Sequence, residues 1–206
     1  MSALDILKTL NPMGVMDGFV SFMGFNQLHH FLNSMMERNM ANNFTALSHA
    51  GGSSIMALSY LLTKDTKLYY LLKKFSTGYF LYDTYHSVKY LKHPLSTLYT
   101  YHHLSTIYYL HHDPEVYKTG QIMFLAELSN IPSYFVYYYL KSSKNTKKIK
   151  MLKKLQFYVY SFIRLPMLSY YAYNVIKNAD NKIPVLTTLP VYFMGLMWSY
   201  KLWKNL

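Results

Sequence analysis

Four stretches of 20 to 22 residues carry at most one charge each and are separated by short polar runs rich in lysine. Residues 43–62 hold no Asp, Glu, Lys or Arg; 119–140 hold only Glu127, 155–176 only Arg164, and 183–202 only Lys201. A helix needs about 20 predominantly apolar residues to cross the hydrocarbon layer, so these stretches predict membrane-length helices. Two shorter candidates, 75–90 and 95–110, carry Asp83, His86 and the His102-His103 doublet. A seventh, 14–36, is interrupted by Asp17, Asn26, Gln27, His29 and His30. The expectation is an all-α polytopic membrane protein with six or seven transmembrane helices around a polar central cavity. It divides into an N-terminal segment, 1–39, with a candidate first membrane helix, and a transmembrane domain, 40–206.

The charges are distributed to suit that reading. There are 21 Lys and Arg against 9 Asp and Glu, an excess that phosphate backbones would also attract. The cations, however, sit in runs such as 64–74 and 141–154 that bracket the apolar stretches, as membrane topology produces, and no nucleic-acid partner is expected. Were all seven segments to cross, one side would carry eight Lys and Arg and the other twelve, predicting a cytoplasmic C-terminus. The opening MSALDILKTLNPMG lacks a basic start followed by an unbroken apolar core, so no secretory signal is expected. The basic run 141–154 reads as the linker-like loop of the chain. With no cysteine, thiol nucleophiles and zinc-thiolate sites are excluded.

Mean hydropathy is close to zero, which suits either a helical bundle in water or helices with one lipid face and one polar face. Polar spacing favours the second. Thr45, His49, Ser53, Met56 and Tyr60 recur at three and four residues; so do Ser76, Tyr79, Asp83, His86 and Tyr90, and Tyr99, His102, Thr106 and Tyr109. Each set lies on one helix face.

Nine histidines, six of them in doublets, supply the candidate chemistry. Asp83 lies mid-segment, where a carboxylate needs a partner or a wet cavity. His102 and His103 stand about 100° apart on a helix, so one ring can face a cavity while the other holds a neighbouring helix. His111 and His112 precede Asp113-Pro114 and read as interfacial at a loop, as does His93 before Pro94. Glu127 and Arg164 are further intrasegment charges, each near a proline, and invite pairing.

Five elements in order, LSHAGG, TGYFLYDTYH, YTYHHLST, AELSN and FIRLP, together resemble the TRAM-LAG1-CLN8 (TLC) domain family over roughly residues 40–203. The resemblance implies a bundle of six or seven transmembrane helices in the endoplasmic reticulum or a related endomembrane, handling acyl groups or sphingolipids. His102 and His103 match the family's histidine pair and Thr106 the threonine after it. Of the HD-x-SD element of ceramide synthases only Glu127 and Ser129 remain, which points to the broader TLC-domain branch.

The chemistry implied is acyl transfer, with acyl-CoA as co-substrate, a sphingoid or phospholipid acceptor, and no tightly bound cofactor or metal. His102 or His103 would act as base or nucleophile and Asp83 would orient it. His49, Tyr79, His86, Tyr99, Thr106, Glu127, Ser129 and Arg164 are the candidate substrate-binding residues. Two alternatives stay open: a non-catalytic lipid-binding or membrane-composition protein, and a di-iron lipid desaturase or hydroxylase, whose HxxHH ligand spacing is missing here. A transporter would want an internal repeat, and none is visible. Oligomeric state is left open.

Overall fold

The structure, a computed structural model, describes residues 16, 18–91, 94–112, 116–143, 145–178 and 182–206, the last stretch with side chains from 185 onward. Seven helices run through these residues: α1 (Phe19–Met35), α2 (Arg38–Thr63), α3 (Thr66–Tyr90), α4 (Leu95–His112), α5 (Val116–Ser142), α6 and α7 (Lys182–Lys204). Helix α6 has three parts, Thr146–Val159, a π-helical turn Tyr160–Arg164, and Leu165–Asn178. The all-α expectation therefore holds for the described residues. Residues 14, 15 and 17 of the first expected segment, and His93, lie outside them.

Connections are short and chemically specified. Lys64 ends α2 in the left-handed region, φ 58°, with its N–H donated to the Tyr60 carbonyl. Asp65 then caps α3 by accepting from the Lys67 amide at 2.9 Å. Residues 146–154, expected as loop, are helical. Asn145 accepts from the Lys148 amide at 3.0 Å, and the Lys, Met and Leu that follow favour a helix whatever their charge. The π turn has a local cause. Pro166 has no N–H to return to the turn before it and its ring crowds the carbonyl four residues back, so the ladder widens there.

The chain packs as two compact units divided between Met123 and Phe124. In the first, α3 is the hub, packed against α1, α2 and α4, while α1 also meets α2. In the second, α7 packs against all three parts of α6.

The interior of the first unit is unusually polar. Thr45, His49, Ser53, Ser76 and Thr77 are fully buried. Hydroxyls reach such positions by bonding back along their own helix, as Thr45 does to the Ala41 carbonyl at 2.9 Å and Ser53 to that of His49 at 2.7 Å. Leu72, Phe80, Ile107 and Leu110 are buried beside them, while other large apolar side chains lie outside: Val20 is 80% exposed, Leu62 75%, and Ile55 and Val88 more than 60%. Among the described residues no helix is long and apolar enough to cross a membrane. Length is not what falls short, since α2, α3 and α5 have 25 to 27 residues. What falls short is apolar content, lowered by buried hydroxyls and imidazoles and by lysines such as Lys67, Lys73, Lys74 and Lys89 of α3.

Candidate functional site

The first unit builds its polar centre on α3, whose residues 76 to 86 present polar and aromatic side chains to α2 and α4 in turn. His103 of α4 sits against three of them. Its Nε2 lies 3.3 Å from Asp83 Oδ2, its Nδ1 lies 3.2 Å from Thr84 Oγ1, and its ring stacks on Phe80 with centroids 5.4 Å apart. A carboxylate only accepts, so Nε2 carries the proton toward Asp83, and Nδ1 accepts the Thr84 hydroxyl. Both ring nitrogens are thereby engaged and the tautomer is set. His102, the neighbouring ring at 5.4 Å, is half-buried where His103 is buried.

His49 of α2 also meets Phe80, edge to face with centroids 5.3 Å apart. His49 stacks face to face on Tyr79 at 3.9 Å with the planes 6° apart, and its Nε2 meets Ser76 Oγ at 3.2 Å. Phe80 thus touches two buried imidazoles, each with an oxygen partner from α3. Tyr99 lies beside His103, ring to ring at 6.2 Å. Thr106 gives its hydroxyl proton to the His102 carbonyl at 2.9 Å. His86, one turn beyond Asp83 on α3, belongs to a different group of rings with His29, Tyr82 and Tyr90.

Several features were not foreseen. The most buried face of α4 is His103, Ile107 and Leu110, rotated from the Tyr99, His102, Thr106 and Tyr109 face expected to look inward. Those four are half-buried, because the α3 notch of Phe80, Asp83 and Thr84 receives His103. His111 and His112, expected in a loop, complete the last turn of α4, and His111 Nε2 reaches Thr77 Oγ1 at 3.0 Å. Thr84 and Phe80 are invisible to a search for titratable pairs. Only the knowledge that α4 packs on α3 identifies them.

The second unit holds the remaining candidates. Arg164, closing the π turn, donates to Asn130 Oδ1 at 2.6 Å and lies 5.0 Å over the Tyr160 ring. Asn130 in turn donates to Glu127 Oε2 at 3.4 Å, and Ser129 bonds its own helix at the Ala126 carbonyl. Asn130 thus relays between cation and acid. Its amide faces the carboxylate and its carbonyl oxygen the guanidinium. Glu127 is buried, so a charge left there without Arg164 would be poorly compensated. Arg164→Leu is expected to lower stability by about 2 kcal/mol, and Arg164→Leu combined with Glu127→Gln to recover part of it. Thermal unfolding of the purified variants measures both.

Among the described residues no group of three or more His, Cys, Asp or Glu is gathered to hold a metal ion. No family model, curated protein or solved structure matches the chain.

Proposed function

We propose that the chain is a membrane-embedded, TLC-like helical protein that handles lipids, and that its first unit transfers an acyl group from an acyl-CoA thioester to the amine or hydroxyl of a lipid acceptor. The observation that carries this is the Asp83–His103–Thr84 contact within a polar interior. A histidine held in one tautomer by a carboxylate is the arrangement proton-transfer chemistry needs.

The membrane part of the reading is supported by the buried hydroxyls and imidazoles of the first unit and by the large aliphatic side chains on its outside, Val20, Ile55, Leu62 and Val88. Polar residues of a bundle in lipid turn inward, away from the hydrocarbon, and the resulting stripe lowers the apolar content of each helix without exposing it to lipid. The residues sharing the resemblance, His102, His103, Asp83, Glu127, Ser129 and Arg164, support the family and an endomembrane location.

In the proposed step, the imidazole takes a proton from the acceptor as its nitrogen or oxygen attacks the thioester carbonyl. The C–N or C–O bond forms and the C–S bond breaks. The departing thiolate of coenzyme A then takes the proton back from the imidazolium. His103 is the oriented ring; His102, half-buried beside it, is the second ring of the pair. A second reading, non-catalytic lipid binding, is favoured by one specific observation: both nitrogens of His103 are already engaged.

Intact-mass analysis and thioester-consumption assays of the detergent-purified protein with a long-chain acyl-CoA and a sphingoid base separate the two. Histidine-dependent turnover, abolished in the His102→Ala/His103→Ala form while its elution profile is kept, is the expected result. Co-purified lipid with no consumption of thioester, or turnover that survives the double substitution, would overturn the acyl-transfer assignment.

A further inference from the structure

A second cluster lies where the end of α1, the start of α2 and the end of α3 come together in the first unit. His29 of α1 and His86 of α3 are 6% and 8% exposed, and their rings meet edge to face at 5.0 Å. His29 Nδ1 and His86 Nε2 are buried with no hydrogen-bond partner. Buried polar atoms almost always find one, so two such atoms on touching rings point to a ligand. Tyr82 packs on both rings, at 5.8 Å and 5.9 Å.

Two exposed cations lie beside the pair, over the ring of Tyr90. Tyr90 packs on His86 at a tilt, with centroids 4.6 Å apart. Its ring also carries the Arg38 guanidinium, 4.2 Å from the centroid, and the Lys89 ammonium at 5.2 Å. His30 adjoins His29 with centroids 6.0 Å apart. Of the acids nearby in sequence, Glu37 accepts from the Asn39 amide at 3.3 Å, and Asp83 faces His103. Two imidazole atoms without partners, one guanidinium and one ammonium call for an oxyanion with several acceptor oxygens. A phosphate group presents these in several directions and meets a guanidinium through two parallel bonds. Among the described residues no three His, Cys, Asp or Glu, His30 included, are gathered to hold a metal ion, so a metal ion is the weaker fit.

We propose that His29, His86 and Arg38 form a binding site for the phosphate group of an amphiphilic ligand, with Arg38 supplying charge and each imidazole an N–H in the tautomer that places a proton on its unpartnered nitrogen. This deepens the lipid-handling reading and rests on it, by giving the substrate class a phosphate. Because His86 lies one helical turn from Asp83, the held phosphate sits at one end of the same unit as the histidine pair.

The test is calorimetric titration of the full chain in detergent with dioctanoyl phosphatidic acid, dioctanoylglycerol and inorganic phosphate, each separately, and with phosphatidic acid again in the presence of excess phosphate. The proposal expects the phosphatidic acid to bind at least about tenfold more tightly than the diacylglycerol. It expects Arg38→Gln and His86→Phe each to weaken it by at least about tenfold, Arg38→Lys to fall between, and His103→Ala to retain it. Inorganic phosphate that displaces the lipid supports a site served by soluble phosphoryl groups as well, and failure to displace it supports a lipid-borne phosphate. Equal binding of the diacylglycerol, unchanged affinity in Arg38→Gln, or no phosphatidic acid binding overturns the proposal. Arg38 is exposed, so Arg38→Gln decides the matter if His86→Phe does not fold. Discrimination that persists without thioester turnover refutes only the acyl-transfer reading.

Discussion

Gly78→Leu is expected to leave the first unit unfolded. A Cβ at Gly78 would stand 2.6 Å from the Gly18 carbonyl oxygen, 2.6 Å from the Phe22 backbone nitrogen, and against the Ser21 Cβ. The crowding is reciprocal, since a Cβ at Gly18 would meet Thr77 Cγ2 at 2.7 Å and the Gly78 nitrogen at 3.0 Å. These are mostly backbone or branch-point atoms with no rotamer to escape into, so a side chain there separates α1 from α3. Small residues that let two helix backbones touch are a recurring device in membrane bundles. Overpacking commonly costs 1–3 kcal/mol where side chains can adjust; against backbone we expect about 4 kcal/mol or more for leucine and about half that for alanine. Losing α1 also withdraws Phe25, whose ring packs on those of Phe75 at 5.0 Å, Tyr79 at 5.3 Å and His49 at 6.0 Å. Gly24→Ala is the control. Nothing lies within 4 Å of its Cβ position, and alanine favours a helix, so it should melt at or slightly above the parent temperature. Equal melting of Gly78→Leu and parent would show that α1 is not held by this crossing.

That crossing was not legible in the sequence, because a glycine's value depends on what packs over it, and Gly18 lies 60 positions from Gly78. What was legible follows from local rules. Charge spacing and the repeat at three and four residues located the helices, and the stripe of Thr45, His49 and Ser53 is buried as its phase implied. Lysine density alone does not separate loop from helix, which hides the helical start at Thr146, although lysine is a good helix former and Asn145 is a cap. The inward face of α4 was set by choosing between two adjacent histidines. A doublet satisfies two phases at once, so periodicity could not separate His102 from His103; the α3 notch does. His111 escaped for a related reason. Its partner, Thr77, is a hydroxyl of the kind the sequence offers at many positions.

The same notch supplies the second large effect. If the first unit carries out the proposed acyl transfer, Asp83→Ala is expected to lower that activity by about 100-fold or more while the protein still folds, in the range found when the group that orients a catalytic imidazole is removed. The carboxylate is only partly buried, with 15% of its side chain exposed against 5% for His103, so its removal frees the ring more than it breaks the bundle. Without Asp83, Nε2 loses the acceptor that fixes its proton, and Thr84, able to donate or accept, no longer selects a tautomer. Asp83→Asn should fall between Asp83→Ala and parent. Its carbonyl oxygen can still take the Nε2 proton, but it brings no charge to stabilise an imidazolium, so it restores orientation without electrostatics. Thr84→Val should cost less again, since it removes only the weaker partner of Nδ1. This ordering, Ala below Asn below Val below parent, separates a positioning role from a merely structural one, in which activity would track melting temperature across the three variants. The deciding measurement is kcat and KM for thioester consumption alongside thermal unfolding. A loss in kcat with KM and melting temperature near the parent values supports orientation of the histidine pair. Parent-like turnover in Asp83→Ala would remove His103 from the chemistry and leave the Asp83–His103 contact as a fastening between α3 and α4.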